Sequence, residues 1–198
     1  MPSDEVVRFW DAQASTFDDE PDHGLRDAQV RDAWRSLLLS VLPARPATVV
    51  DLGCGTGSLT VLLAESGYEL TGIDASPAMV NAAQRKAAAA EVTVTLEIGD
   101  VAAPQITPHS VDAVVARHVV WALPEPEAAI RRWLTCLRTT GVMVLIEGCW
   151  CTGTGIEHEA LSSLVTPMAS EIEVLQLRDP LLWGRPIDDE RYLLRAVV

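Results

Sequence analysis

Lysine is almost missing from this sequence: Lys86 is the only one in 198 residues. Acidic side chains number 28 against 15 basic ones, a formal net charge of −13. Such a surface repels phosphate backbones and anionic headgroups at long range. Arg131 and Arg132 are the one adjacent arginine pair, so no nucleic-acid partner is expected, although one or two placed arginines could still hold a small anion. Cysteine is scarce too. Cys54, Cys136, Cys149 and Cys151 lack the framework that staples small secreted domains. Cys149-Trp150-Cys151 outlines half a metal site with no second pair, so the thiols read as reduced core groups and no metal is expected. No apolar run approaches the length of a bilayer span, and no membrane association is expected. The acidic start, Met1-Pro2-Ser3-Asp4-Glu5, has neither a basic nor an apolar leader region, which makes a cytoplasmic protein the expectation.

What is present is ample apolar material, 48% of the chain, enough for one ordinary domain without metal or disulfide support. The pattern opens with helices. Val6, Trp10 and Phe17 recur behind Ser3, a capping residue, and a second helix runs from about Ala28 to Leu42 behind Asp27. Residues 1–46 thus read as a helical cap or lid on a core of residues 47–198. From there strands alternate with helices. Strands are expected at Ala47–Leu52, Glu69–Asp74, Val92–Ile98, Val111–Ala116 and Val142–Gly148. The helices fall at about Ser58–Ser66, from Pro77 behind Ser76, at Pro126–Leu137 and at Glu157–Ala169. This alternation predicts a doubly wound α/β fold with a parallel sheet. Two further strands, Glu171–Leu177 and Tyr192–Val198, joined by a non-helical link over 178–191, are expected to pair antiparallel at one edge. The sheet then has seven strands and is mostly parallel.

Ligands of such sheets bind beyond the carboxyl ends of the strands. After the first strand comes Asp51-Leu52-Gly53-Cys54-Gly55-Thr56-Gly57, whose glycines allow a sharp turn and a close backbone approach. After the second comes Asp74, about twenty residues past the first glycine, a spacing that suits a carboxylate on ribose hydroxyls. After the third comes Gly99-Asp100-Val101, where the acid can accept from an adenine amino group. One glycine loop is weak evidence. Three acids ending three successive strands point to a nucleoside ligand. The third glycine falls one place early for a dinucleotide loop and no Walker lysine is present, so a nicotinamide-dependent oxidoreductase is the lesser alternative. Asp51 would repel a pyrophosphate but suits an ammonium group. S-adenosylmethionine (SAM), with an amino-acid end and an adenosine end, satisfies all three acids.

The segment Val49-Val50-Asp51-Leu52-Gly53-Cys54-Gly55-Thr56-Gly57 resembles the first motif of class I SAM-dependent methyltransferases. Gly72 to Met79 resembles their second motif, and Gly99-Asp100-Val101 the adenine-binding one. Val111–Val115 with Pro126, Leu134 and Leu137-Arg138 resembles the fourth strand and its helix. Phe9-Trp10-Asp11 with Phe17-Asp18 is similar to the opening of the UbiE-like small-molecule group. The resemblance spans about residues 8 to 150. It implies a methyltransferase with SAM as cofactor: Asp51, Gly53 and Gly55 at the methionine moiety, Asp74 and Met79 at ribose and adenine, Asp100 and Val101 at the base, with Cys54 and Ala75 in the same cofactor-binding set. Trp10 and Arg117 join this set. Thr139-Thr140-Gly141 stands where the family has Pro-Gly-Gly, a departure that concerns the local turn.

His118, in Ala116-Arg117-His118-Val119-Val120-Trp121 at the end of the fourth strand, is the first candidate for a base or an acceptor-orienting group. Its plain alternative is a histidine that fixes the corner by hydrogen bonds. His23, in an acidic stretch, is a second candidate if that stretch folds over the site. Trp10, Trp121 and Trp150 are candidates for the acceptor pocket wall, and Arg117 for an anionic acceptor. His109 is read in a turn and His158 on a helix surface. The Asn/Asp-Pro-Pro-Tyr/Phe motif of amino-group methylators of bases and proteins is absent, so the expected partner is a small-molecule methyl acceptor taking the group on O or N. The chain is expected as a monomer or homodimer. The rival in another class is a non-catalytic SAM-binding subunit.

Overall fold

The computed structural model describes residues 2–198; Met1, the head of the expected cap, lies outside the described residues. Helix α1 (Asp4–Gln13) starts at Ser3, whose hydroxyl accepts from the Val6 amide at 3.4 Å. Phe17 leaves that helix and begins a 3₁₀ turn, Phe17–Asp19. A one-turn helix, α2 (Pro21–Gly24), leads to α3 (Ala28–Val41), where Asp27 accepts from the Gln29 and Val30 amides. The α/β part follows as β1 (Thr48–Leu52), α4 (Ser58–Glu65), β2 (Glu69–Asp74), α5 (Pro77–Ala89), β3 (Thr95–Ile98), β4 (Val111–Arg117), α6 (Pro126–Cys136) and β5 (Leu137–Cys149). The chain closes with α7 (His158–Val165), β6 (Glu171–Gln176), α8 (Pro180–Trp183) and β7 (Glu190–Val197). Gly67 at φ +94° ends α4 and Ser76 caps α5, both as their residue types dictate.

The sheet order is β3-β2-β1-β4-β5-β7-β6. The first five strands in sequence run parallel, while β7 lies antiparallel between β5 and β6. Side chains alternate faces along each strand. Val142, Val144 and Ile146 of β5 therefore join α3, α4 and α8 on one face, and Met143 and Leu145 join α6 and α7 on the other. Trp34, Leu38 and Val41 put α3 directly into the first of these cores. Full burial of one such side chain is worth about 1.5–3 kcal/mol. No helix among the described residues is long and apolar enough to cross a membrane.

Four local expectations change. β3 starts at Thr95, not Val92, because Glu91 turns to φ +54° and the Val92 amide is spent on the Ala87 carbonyl that closes α5. The link over 178–191 is not free of helix. Asp179 accepts from the Leu181 amide and Pro180 opens the turn, so α8 buries Leu182 and Trp183. The helix expected to reach Ala169 ends at Val165 and tightens into a 3₁₀ turn, Thr166–Met168. β5 begins early, at Leu137, with a register shift opposite Val111–Ala113. In its Thr-Thr-Gly turn it is Thr140, not Gly141, that takes φ +65°.

Candidate functional site

Strand order reverses between β1 and β4, where Leu52 pairs with Ala116. The two chain segments that leave these strands, Gly53–Gly57 and Arg117–Trp121, therefore face each other across the crevice. Gly53, Gly55 and Gly57 have φ of +72°, +53° and +79°, a region that side chains disfavour. At Gly53 and Gly57 space excludes a side chain as well. A Cβ on Gly53 would stand 2.4 Å from Cγ2 of Val119, and one on Gly57 2.7 Å from the Ala83 Cβ. The loop is pinned to β2 because the Gly53 and Cys54 amides both donate to the Ile73 carbonyl, at 2.8 and 3.1 Å.

The acids meet around this loop. Asp51 is buried, and one of its oxygens accepts from the Thr60 hydroxyl at 2.6 Å. Burial pushes its carboxyl up to about 6. Asp74 accepts from the Gly55 amide and the Ser76 amide, each at 2.9 Å, and burial raises it too. Asp100 accepts from the Ala102 amide in the turn after β3, where the Gly99 amide reaches back to the Asp74 carbonyl. Val101 packs against the core and Met79 is buried in α5. Ala75 lies in the turn that Asp74 organises. Cys54 turns its sulfur onto Gly72, and burial raises its thiol well above the ordinary range.

The N-terminal segment covers the loop. Phe17 lies 3.5 Å from where a Gly55 Cβ would be, and Trp10 is edge-on to Phe17 at 6.3 Å. Asp11 accepts from the Ser76 hydroxyl and from the Ala78 amide at 3.0 Å, which docks α1 on the start of α5. Those two hydrogen bonds hold its carboxyl below the usual range. Lys86 donates to the Thr56 and Ser58 hydroxyls and pairs with Asp18 at 2.9 Å, while Thr56 donates to the same carboxylate. The one lysine of the sequence thus ties the glycine loop to its cover.

His118 sits at φ +59°, a conformation that costs a non-glycine residue roughly 1–2 kcal/mol. Its neighbours over-determine it. The His118 amide donates to the Ile146 carbonyl at 2.8 Å, and the Trp121 indole to the His118 carbonyl at 3.0 Å. Glu147, fully buried, accepts from the Val119 and Val120 amides at 2.8 and 2.6 Å. Around the imidazole stand Trp150 at 5.1 Å, His23 at 6.1 Å and Trp183 stacked at 6.3 Å, with Trp121 against Trp150 at 5.5 Å. Burial holds His118 well below its ordinary value, and the neighbouring Arg117 adds to this. Arg117 donates to the Asp22 carbonyl and lies over Trp34, 5.1 Å from the ring centre.

The structure therefore brings together Asp51, the glycine loop, Asp74, Arg117, His118 and His23, with Asp100 and Val101 one strand further along. His109 does lie in a turn, at φ +54°, with its ring on the Leu137 carbonyl. His158 opens α7, partly exposed, and pairs with Glu190. Sequence reading missed Asp11, Lys86, Glu147 and Trp183. Glu147 left a sign, as an acid directly after the apolar run of β5. Two open cavities lie elsewhere. One of about 180 Å³, lined by Pro43, Pro46, Asp112 and Arg138, is at the amino ends of β1 and β4, away from the glycine loop. The other, about 270 Å³, lies among Pro21, Val30 and Leu181.

Residues 50–145 match the family described as a methyltransferase domain. The ubiquinone biosynthesis O-methyltransferase of Xanthomonas euvesicatoria is 33% identical over 141 residues, 70% of this chain and 55% of that protein. This chain thus spans about half the length of such curated relatives. Among solved structures, the [4+2]-cyclase SpnF aligns with a TM-score of 0.73 at 20% identity, over 84% of this chain and 80% of its own. The magnesium protoporphyrin IX methyltransferase of Synechocystis PCC 6803 with bound SAM aligns with a TM-score of 0.66 at 22% identity, over 85% and 78%.

Proposed function

We propose that this chain is a class I SAM-dependent methyltransferase that moves the sulfonium methyl group to an oxygen or nitrogen of a small acceptor, chiefly by positioning. SAM is the cofactor of that family. The observation that carries the reading is the crevice at the strand-order reversal, where three left-handed glycines meet the carboxylates of Asp51 and Asp74. Burial raises both acids, so a cationic ligand beside them relieves a desolvation cost that the protein alone leaves standing. Asp51, Gly53, Cys54 and Gly55 are assigned to the methionine end, Asp74, Ala75 and Met79 to the ribose side, and Asp100 and Val101 to adenine. Trp10 and Arg117 close the cofactor site from the N-terminal cover and from β4.

When bound, SAM supplies a methyl group on a leaving group that is already excellent. The chain's task is then to hold the acceptor in line. Near-attack positioning is worth about 7–11 kcal/mol, whereas a general base adds 10²–10⁴-fold, roughly 3–5 kcal/mol. His118, fixed at its corner and walled by Trp121 and Trp150, is the orienting group, with His23 across from it. The relatives named for ubiquinone biosynthesis methylate oxygen by their name, which supports an oxygen acceptor here. Residues 2–24 act as a lid that SAM orders. Fold alone does not assign the chemistry, since a [4+2]-cyclase shares it; turnover of methyl-labelled SAM with small hydroxylated and amino acceptors separates a methyltransferase from a SAM-binding subunit. Calorimetric titration should show SAM and its demethylated product binding the wild type. Asp74→Ala should weaken both by about 1.5–3 kcal/mol, as for a lost charge-assisted hydrogen bond. A wild type that takes up neither ligand overturns the reading.

A further inference from the structure

We infer that Asp22, His23 and His118 form a binding site for a first-row divalent cation, at the corner where β4 meets the N-terminal cover. One ligand atom from each of the three lies within 4.8 Å of the others. Two of the three residues carry orphaned atoms: Oδ2 of Asp22 and Nε2 of His118 are buried without a hydrogen-bond partner. Asp22 is only 6% exposed. A buried carboxylate oxygen left unpaired is expensive, and protein structures keep such atoms where a ligand or ion satisfies them. Asp22 Oδ2 and His23 Nε2 are 3.6 Å apart. That is too long for a hydrogen bond, and it matches the gap between two ligands each about 2.0–2.2 Å from a shared metal.

The three groups arrive already held. His118 is fixed by its left-handed corner. His23 stacks on Phe17 at 4.3 Å. The Asp22 carbonyl is gripped by Arg117. The guanidiniums of Arg117 and Arg191 both oppose a cation here; the first is directed at that carbonyl and the Trp34 face, the second at Asp189 and the Trp150 and Trp183 faces. Burial keeps both imidazoles toward the neutral form that binds metals. Two imidazoles and one carboxylate, without thiolate, favour zinc, iron, cobalt or nickel over magnesium or calcium. A second group, His158, Glu159 and Glu190, differs: its histidine is already bonded to Glu190, and it serves as the control. The inference goes beyond the proposed methyl transfer and its test does not depend on turnover.

The experiment uses the full chain carrying Cys149→Ser and Cys151→Ser, since those thiols flank Trp150 beside His118 and would compete for metal. Co²⁺ is the probe, read by its visible d–d absorption and by calorimetry. One ion per chain should bind. His118→Gln and Asp22→Asn should each weaken it by about 10- to 100-fold or more, and His158→Ala should leave it unchanged. Circular dichroism checks each fold. If either buried variant unfolds, His23→Gln, on the N-terminal segment, decides by the same loss. No d–d absorption, affinity indifferent to these substitutions, or loss in His158→Ala overturns the site.

Discussion

Glu147 offers the sharpest quantitative test. Its side chain is fully buried at the end of β5, with one oxygen on the Val119 and Val120 amides and the other without a partner. Burial pushes its carboxyl from an ordinary 4.5 up to about 8, while the two backbone hydrogen bonds oppose the rise only in part. Tyr192, raised chiefly by its own burial, is raised further by Glu147. The native state therefore keeps a proton on Glu147 at neutral pH and the unfolded chain does not. Stability from this group is fully present below pH 4.5 and declines as pH climbs toward 8, by about 1.4 kcal/mol per unit. From pH 6.5 to 8 that amounts to about 2 kcal/mol, a window that lies above the titration of Asp51 at about 6. Glu147→Gln keeps the volume and the acceptor but cannot ionise. Urea unfolding at half-unit pH steps should show wild-type stability falling across the window and the variant staying flat, so that the variant is the more stable at pH 8. Parallel profiles would mean that the carboxylate is already ionised and solvated in the folded protein, and the account of the His118 corner would fail.

Two further outcomes follow from the cover and the corner. Lys86→Met removes the contacts to Thr56, Ser58 and Asp18; after solvent screening that is about 0.5–1 kcal/mol, so hydrogen exchange in residues 2–24 should quicken roughly two- to fivefold and recover when SAM is added. Exchange that is equal with and without the lysine, and with and without SAM, removes the lid. His118→Ala should lower kcat/KM by about one to four decades while the SAM dissociation constant changes little. Steady-state kinetics at the wild-type rate would leave His118 a structural residue.

Much of this was legible in the chain. Asp27, Ser76 and Gly67 stop and start helices by local hydrogen bonding and backbone freedom, so their roles read directly. The same holds for Gly53, Gly55 and Asp74, whose spacing is set by one strand-loop-helix unit. Asp179-Pro180 carried an equally local signal, passed over because the turn it opens is only four residues long. Val92 reads as strand because its alternation fits one, while its amide is committed to the preceding helix.

Local patterning determined the order of elements, the parallel sheet and the three acids that end its strands, because each depends on residues close in sequence. The tertiary structure alone decided what meets what. β7 enters between β5 and β6; Lys86 reaches Asp18 across 68 positions; Glu147 seats the corner that aims His118; Asp22 and His23 arrive opposite it from a separate helix. Those pairings rest on strand order and on packing between segments far apart in the chain, and neither has a period or a spacing that a sequence can display.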